Sequence, residues 1–226
     1  MNQDTLVVIP AFNEEKTIVN VINNLQKVGF RDILVIDDGS LDKTRLIVEK
    51  EKIHLLVHEI NLGKGAALKT GFEYALKHNF KYIITCDADG QHLAKNVLEL
   101  ANLIRQQNVE VVLGSRFINN KFQRKIPLSR RVYNKIANMI TFFTEGVKVS
   151  DSQCGLRGYN TKAITSMNLK SHNLDIDSEI LGEIRKNNLR YIEYPIEPVY
   201  TEYSLSKGQN FLKGLETLYG LLIKDF

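Results

Sequence analysis

Thr5-Leu6-Val7-Val8-Ile9-Pro10-Ala11-Phe12-Asn13-Glu14, followed by Ile18, Val21, Ile22 and Leu25, is the stretch that decides the architecture. An apolar, largely β-branched run stopped by a proline reads as a strand, and the later apolar residues recur at helical spacing. Asn13 is the expected N-cap, with Glu14 and Glu15 in the first turn, where the helix dipole favours carboxylates. Strand, turn and helix together form one unit of an α/β chain.

The unit then repeats. Residues 33–36 read as a strand, Asp37-Asp38-Gly39-Ser40 as its turn, and a helix runs through Leu46 and Ile47. Residues 55–57 lead through Asn61-Leu62-Gly63-Lys64-Gly65 into a helix carrying Leu68, Phe72, Ala75 and Leu76. A strand over 82–86 ends at Asp87, a helix with Val97, Leu98, Ala101 and Ile104 follows, and 109–113 is the next strand. This alternation predicts an open, mainly parallel sheet with helices on both faces, and ligands in such sheets bind beyond the carboxyl ends of the strands. Residues 10–14, 37–40 and 87–89 all fall at that edge. Past 113 the reading is a basic loop, a helix over 129–143, a segment at 151–159, a helix over 178–186 and a strand over 189–194.

A chain of 226 residues suits a single domain, with residues 1–115 expected as the nucleotide and metal half and 116–226 as the acceptor half. Its 43% hydrophobic and 25% charged residues are ordinary globular usage, and a net charge of +4 with 26 acidic residues argues against a nucleic-acid binder. Cys86 and Cys154 have no CxxC spacing, which excludes a zinc or redox pair of that kind and suits a reducing compartment. No apolar run approaches the roughly 18 residues needed to cross a bilayer, and the start lacks a basic stretch. The expectation is a cytoplasmic protein whose membrane contact is peripheral.

Asp87-Ala88-Asp89 places two carboxylates at a strand end. A hard divalent cation takes such oxygens and the oxygens of a diphosphate together. On local sequence alone the same pattern suits a solvated turn, as Asp38-Gly39-Ser40 suits a turn and cap. A single His92 reads as a surface residue. Lys64 sits between glycines, but Lys69-Thr70 lacks the preceding glycine of a phosphate-loop nucleotidase. The first strand leads into no G-x-G-x-x-G turn, and neither H-E-x-x-H nor G-x-S-x-G occurs, which removes dehydrogenases and two hydrolase classes.

Taken together, residues 8–14, 35–40, Asn61-Leu62-Gly63-Lys64-Gly65-Ala66-Ala67, Asp87-Ala88-Asp89-Gly90-Gln91-His92, Gly114-Ser115-Arg116-Phe117 and residues 151–159 resemble glycosyltransferase family 2. The resemblance spans residues 6–207 and is nearest to the branch that transfers sugars to polyprenyl or dolichyl phosphates. It implies a glycosyltransferase A-type fold and an inverting, metal-dependent hexosyltransferase with Mg2+ or Mn2+. It implies that Pro10, Ala11, Phe12, Asn13, Glu14, Ile36, Asp38, Lys64, Asp87, Ala88 and Lys207 bind the nucleotide sugar. Asp87, Asp89 and Gln91 would hold the metal, and Arg116 would be a phosphate partner near the reacting centre with Asp89. Relatives that use GDP-mannose carry an arginine where this chain has Thr201, so the donor is a GDP- or a UDP-sugar.

On the acceptor side, Val132, Ile136, Met139, Ile140 and Phe143 form a helical stripe beside Arg130, Arg131 and Lys135. The stripe suits a core helix or a basic amphipathic helix on a membrane. The membrane reading makes Arg124, Arg130 and Arg131 the partners of an acceptor phosphate. A hydroxyl acceptor, as in glycan synthesis, would instead need a base, for which Asp151, Asp175, Asp177 and Glu179 are candidates. A sugar nucleotidyltransferase and a non-catalytic sugar-nucleotide-binding subunit are the rival classes. A homo-oligomer or a separate membrane partner stays open.

Overall fold

Alternation of short buried strands with amphipathic helices persists through the computed structural model, which describes residues 4–199. In chain order these are β1 (Thr5–Ala11), α1 (Ile18–Lys27), β2 (Ile33–Asp38), α2 (Thr44–Val48), β3 (His54–His58), α3 (Lys64–Lys77), β4 (Tyr82–Thr85) and α4 (Ala94–Gln106). Then come β5 (Val111–Ser115), α5 (Asn120–Gln123), α6 (Leu128–Glu145), β6 (Arg157–Asn160), α7 (Thr161–Ser166), α8 (Ile176–Lys186) and β7 (Tyr191–Pro195). Lys207 and Thr201 lie outside the described residues.

The strands form one sheet in the order β3-β2-β1-β4-β6-β5-β7. Period-two alternation sends successive side chains of β1 to opposite faces. Val7 and Ile9 join the core with α1 and α4, where Ile18, Ile22, Val97 and Leu100 are fully buried. Leu6 and Val8 enter the core on the other face, with Leu68 and Phe72 of α3 and Ile180 of α8. A strand covered on both faces must be apolar throughout, which is why residues 5–9 read so clearly.

Two readings need correction, while the helix through Leu46 and Ile47 forms as read. Helix α1 starts at Ile18, not after Asn13, because Asn13 has φ 56 and its side chain accepts from the Leu41 and Asp42 N–H groups of the neighbouring turn. The buried residues of α2 are Thr44 and Val48, and Leu46 is exposed. Residues 157–160 form β6, which pairs antiparallel with both β4 and β5 in an otherwise parallel sheet. Four residues, Arg-Gly-Tyr-Asn, carry no alternation from which a strand could be read.

Candidate active site

The carboxyl ends of β1 and β2 are adjacent in register, Ala11 opposite Asp37. The loops that leave them are laced by side chains. Asn13 N–H donates to Ser40 Oγ at 3.0 Å, Glu14 N–H to Thr44 Oγ1 at 2.8 Å, and Glu15 N–H to Asp42 Oδ2 at 3.1 Å. These bonds replace the missing helix turn after Asn13 and leave Phe12 40% exposed at the sheet edge. Ala11, Ile36 and Ala88 are buried in the two cores, so a ligand would meet these positions through main-chain atoms.

Asp37 and Asp38 divide the work differently from expectation. Asp38 accepts from Leu62 N–H at 3.0 Å and Gly63 N–H at 2.8 Å, and its Oδ1 also meets His58 Nδ1 at 2.7 Å. Both of its oxygens thus shape the loop after β3. Asp37 accepts from Ser40 N–H through Oδ1, while its buried Oδ2 has no partner. The loop in turn presses against residues 171–172: Gly65 N–H donates to the His172 carbonyl at 2.8 Å, and a Cβ on Gly63, at φ 94, would run into that same carbonyl. Close approach to this backbone, not a phosphate, accounts for the glycines around Lys64.

Asp87 and Asp89 stand at the end of β4. Asp87 Oδ1 lies 3.2 Å from Lys64 Nζ, and Oδ2 accepts from His92 Nε2 at 3.0 Å, which puts the imidazole proton on that nitrogen. Burial alone would raise the Asp87 carboxyl, but Lys64 and His92 outweigh it and hold it well below the usual carboxylate range. His92, read as a surface residue, has a side chain only 5% exposed. Asp89 accepts from Gln91 through both backbone and side-chain amide. Gly155 backs this cluster, since a Cβ there would sit 2.5 Å from Asp87 Oδ2.

Lys64 Nζ also donates to Asp177 Oδ2 at 2.9 Å. Burial would lower its pKa, but Asp177 and Asp87 outweigh it and raise it, so the ammonium is fixed in its charged form. Asp177 further faces buried Arg157, whose Nη2 is 3.7 Å from Oδ1. The thiols of Cys86 and Cys154 are buried, and burial pushes Cys154 up to about 12, which makes it inert.

Past β5, Arg116 and the candidate carboxylates are paired with one another, with neighbouring side chains or with backbone groups. Arg116 forms a two-pronged pair with Asp151, Nε to Oδ2 at 2.7 Å and Nη2 to Oδ1 at 2.8 Å, and Asn134 of α6 donates to the same carboxylate. Glu179 accepts from the Lys170 and Ser171 N–H groups, and Asp175 from Ser171 Oγ. With Asp177 on Lys64, all four candidate bases are engaged, and Glu179 serves as the anchor of a loop.

Helix α6 presents its polar residues inward. Asn134, Ala137 and Thr141 are buried, Asn138 bonds the Ser150 carbonyl and Ser152 N–H, and Thr141 Oγ1 meets Ser178 Oγ. Outward stand Leu128, Val132, Ile136, Met139, Phe142 and Phe143, all exposed. Lys121, Arg124 and Lys135 are exposed nearby; Arg131 donates to the Ile126 carbonyl. No helix among the described residues is long and apolar enough to cross a membrane.

A model of the glycosyl transferase family 2 matches residues 6–166. The chain belongs to this family. It is 40% identical to an uncharacterized protein of Methanocaldococcus jannaschii over 99% of this chain and 93% of that one. It is 36% identical to a UDP-N-acetylglucosamine–dolichyl-phosphate N-acetylglucosaminyltransferase of Methanococcus voltae, over 96% of this chain and 94% of the relative. Among solved structures, glucosyl-3-phosphoglycerate synthase from Mycobacterium tuberculosis, in complex with Mn2+, UDP and phosphoglyceric acid, superposes with a TM-score of 0.69 at 16% identity, covering 96% of this chain and 78% of that one. That likeness shows a shared glycosyltransferase A-type fold.

In this glycosyltransferase the donor set at β4 suits a hard divalent cation. Asp87 is ionised and its side chain is 30% exposed, with Asp89 and the Gln91 amide beside it. Among the described residues no three Asp, Glu, His or Cys side chains gather into a self-sufficient metal centre. A cation bound here would complete its shell from the oxygens of a donor diphosphate.

Proposed function

We propose that the chain is an inverting transferase moving a sugar from a UDP-sugar, with GDP-sugars as the rival donors, to a polyprenyl phosphate at a membrane surface. The observation that carries the acceptor reading is α6, whose buried face is polar and whose outer face is an apolar stripe beside cations. A helix that needed only to pack on α8 would be patterned the other way round. The dolichyl-phosphate transferase of M. voltae, similar over nearly the whole chain, supports the same acceptor class and a UDP donor.

Phe12 would border the nucleoside at the exposed sheet edge, and Asp38 shapes the neighbouring loop that it anchors. Asp87, Asp89 and Gln91 would hold Mg2+ or Mn2+, whose charge offsets that of the leaving diphosphate. Lys64 offers the same diphosphate a fixed ammonium. An oxygen of the acceptor phosphate attacks the anomeric carbon from the side opposite the diphosphate. A new carbon–oxygen bond forms as the bond to the diphosphate breaks, and the configuration inverts. Because the attacking oxygen is already anionic, no proton has to be removed, in keeping with four carboxylates that are all engaged elsewhere. Arg124, Arg130 and Arg131 reduce the repulsion between the two anionic substrates.

The test is a screen of UDP- and GDP-sugars with Mn2+ or Mg2+, reading nucleoside diphosphate release with and without polyprenyl phosphate. Release that depends on the lipid is expected. Transfer to soluble saccharides alone, or pyrophosphate release from a nucleoside triphosphate, refutes the proposal.

A further inference from the structure

Lys64 is the first residue of α3, and its ammonium is shared between carboxylates of two different parts of the chain. Asp87, on the donor side, is partly open to solvent, whereas the Asp177 side chain is 7% exposed and backed by Arg157. Arg157 is itself buried, and its Nη1 donates to the Asp177 carbonyl at 2.9 Å. Glycines on either side of Lys64 hold its backbone against residues 171–172, so the lysine cannot retreat from the cluster.

We propose that Asp177 is a positioning residue that acts through Lys64, holding the ammonium on its buried side so that Asp87 stays available to a divalent cation and a diphosphate. The proposal deepens, and rests on, the reading of Asp87 and Asp89 as the cation-binding pair. Two cations compete for Asp87 in this arrangement. Lys64 would neutralise Asp87 if it were its sole partner; with Asp177 present, the three carboxylates Asp87, Asp89 and Asp177 outnumber the two cations Lys64 and Arg157, and the cluster keeps a net negative charge. The same sharing keeps a donor N–H at the edge where the diphosphate arrives. Asp177 thereby acts on the donor site from the first turn of α8, the helix against which α6 packs.

A unit charge removed about 6 Å from a divalent ion changes its affinity about tenfold even under water-like screening. The experiment is a titration of the donor-free protein with Mn2+, followed by electron paramagnetic resonance, for the parent, D177N, K64Q and the double variant. D177N should bind Mn2+ about tenfold more weakly and K64Q about tenfold more tightly, with the double variant close to K64Q, because without the lysine Asp177 has no ammonium to hold. K64Q should at the same time weaken UDP binding. A residue that only supports the fold would lower the melting temperature of D177N without moving Mn2+ affinity. Parent-like Mn2+ binding by D177N, or a double variant about tenfold weaker than K64Q, overturns the proposal. Should D177N melt below the assay temperature, K64Q decides: unchanged Mn2+ affinity overturns it. A parent that binds no Mn2+ and turns over in chelator refutes the cation reading itself, and this proposal with it.

Discussion

Replacing Phe143 by Ser tests the proposed membrane face of α6 at its most exposed aromatic residue. Phe143 is 76% exposed and touches Phe142 edge to face at 5.6 Å. A phenylalanine presents roughly 200 Å² when fully open, so about 150 Å² of Phe143 is available to a lipid surface. At about 25 cal/mol per Å², complete insertion is worth nearly 4 kcal/mol. Insertion to half depth leaves about 2 kcal/mol, or roughly a 30-fold loss of vesicle binding in F143S. Surface substitutions of this kind stay within about 0.5 kcal/mol of parental stability, so the fold should be unaffected. The assay is co-sedimentation with phosphatidylglycerol vesicles at low and high salt. Leu46→Ser on α2, which packs on β2 and α1, is the control and should bind as the parent does. Binding by F143S within twofold of the parent would refute the assignment of this face to lipid.

Three further outcomes are expected. Asp89→Ala should abolish nucleoside diphosphate release while its circular dichroism spectrum and melting curve stay parental; full turnover in chelator would sink the cation assignment. Asp38→Ala should cost about 2 to 3 kcal/mol in denaturant unfolding, because two loop N–H groups and His58 lose their buried acceptor, and should weaken UDP binding through the loosened loop; an unchanged midpoint and unchanged calorimetric affinity would contradict this. Glu110 is held at about 2 by hydrogen bonds from Arg190, burial opposing, with Lys162 adding to the hold. A depressed carboxyl stabilises above its unfolded value of 4.5 and loses that contribution as pH falls through about 2, so Glu110→Gln should destabilise the protein at pH 7 by about 1 to 2 kcal/mol, given the solvent exposure of Arg190 and Lys162, and should have little effect near pH 2.

Legibility of the sequence followed burial. β1, β2 and β4 are covered on both faces, and their apolar runs announce both the strands and the edge where Asp87 lies. Side-chain commitments were not legible. Asp38 and Asp37 are neighbours of one type, and only the fold reveals that the first anchors a loop while the second buries an oxygen without a hydrogen-bond partner. Glu179 looks like a base because it stands near an Asp in an acidic stretch, yet its oxygens are taken by two backbone amides eight and nine residues away. His92 could have been found by its spacing five residues after Asp87, where a turn returns the chain to the strand end. For α6 the apolar spacing was read correctly. Which face pointed inward depended on Asn134, Asn138 and Thr141 finding partners 12 to 37 residues on.

The reversed strand β6 also constrains the order in which this protein can be made. β5 pairs with β6 and β7, which lie 42 to 84 residues further along the chain, and with no earlier strand. While the ribosome is still extending the chain toward residue 157, β1, β2, β3 and β4 can already assemble as a parallel ribbon, but β5 has nothing to join. The flank of β4 that β6 later covers is exposed for the same interval, on the strand whose carboxyl end leads to Asp87 and Asp89. Each nascent molecule therefore carries an unpaired edge on β4 until residues 157–160 close it. A pause in translation within residues 116–156 would prolong the state in which two such molecules could pair with one another.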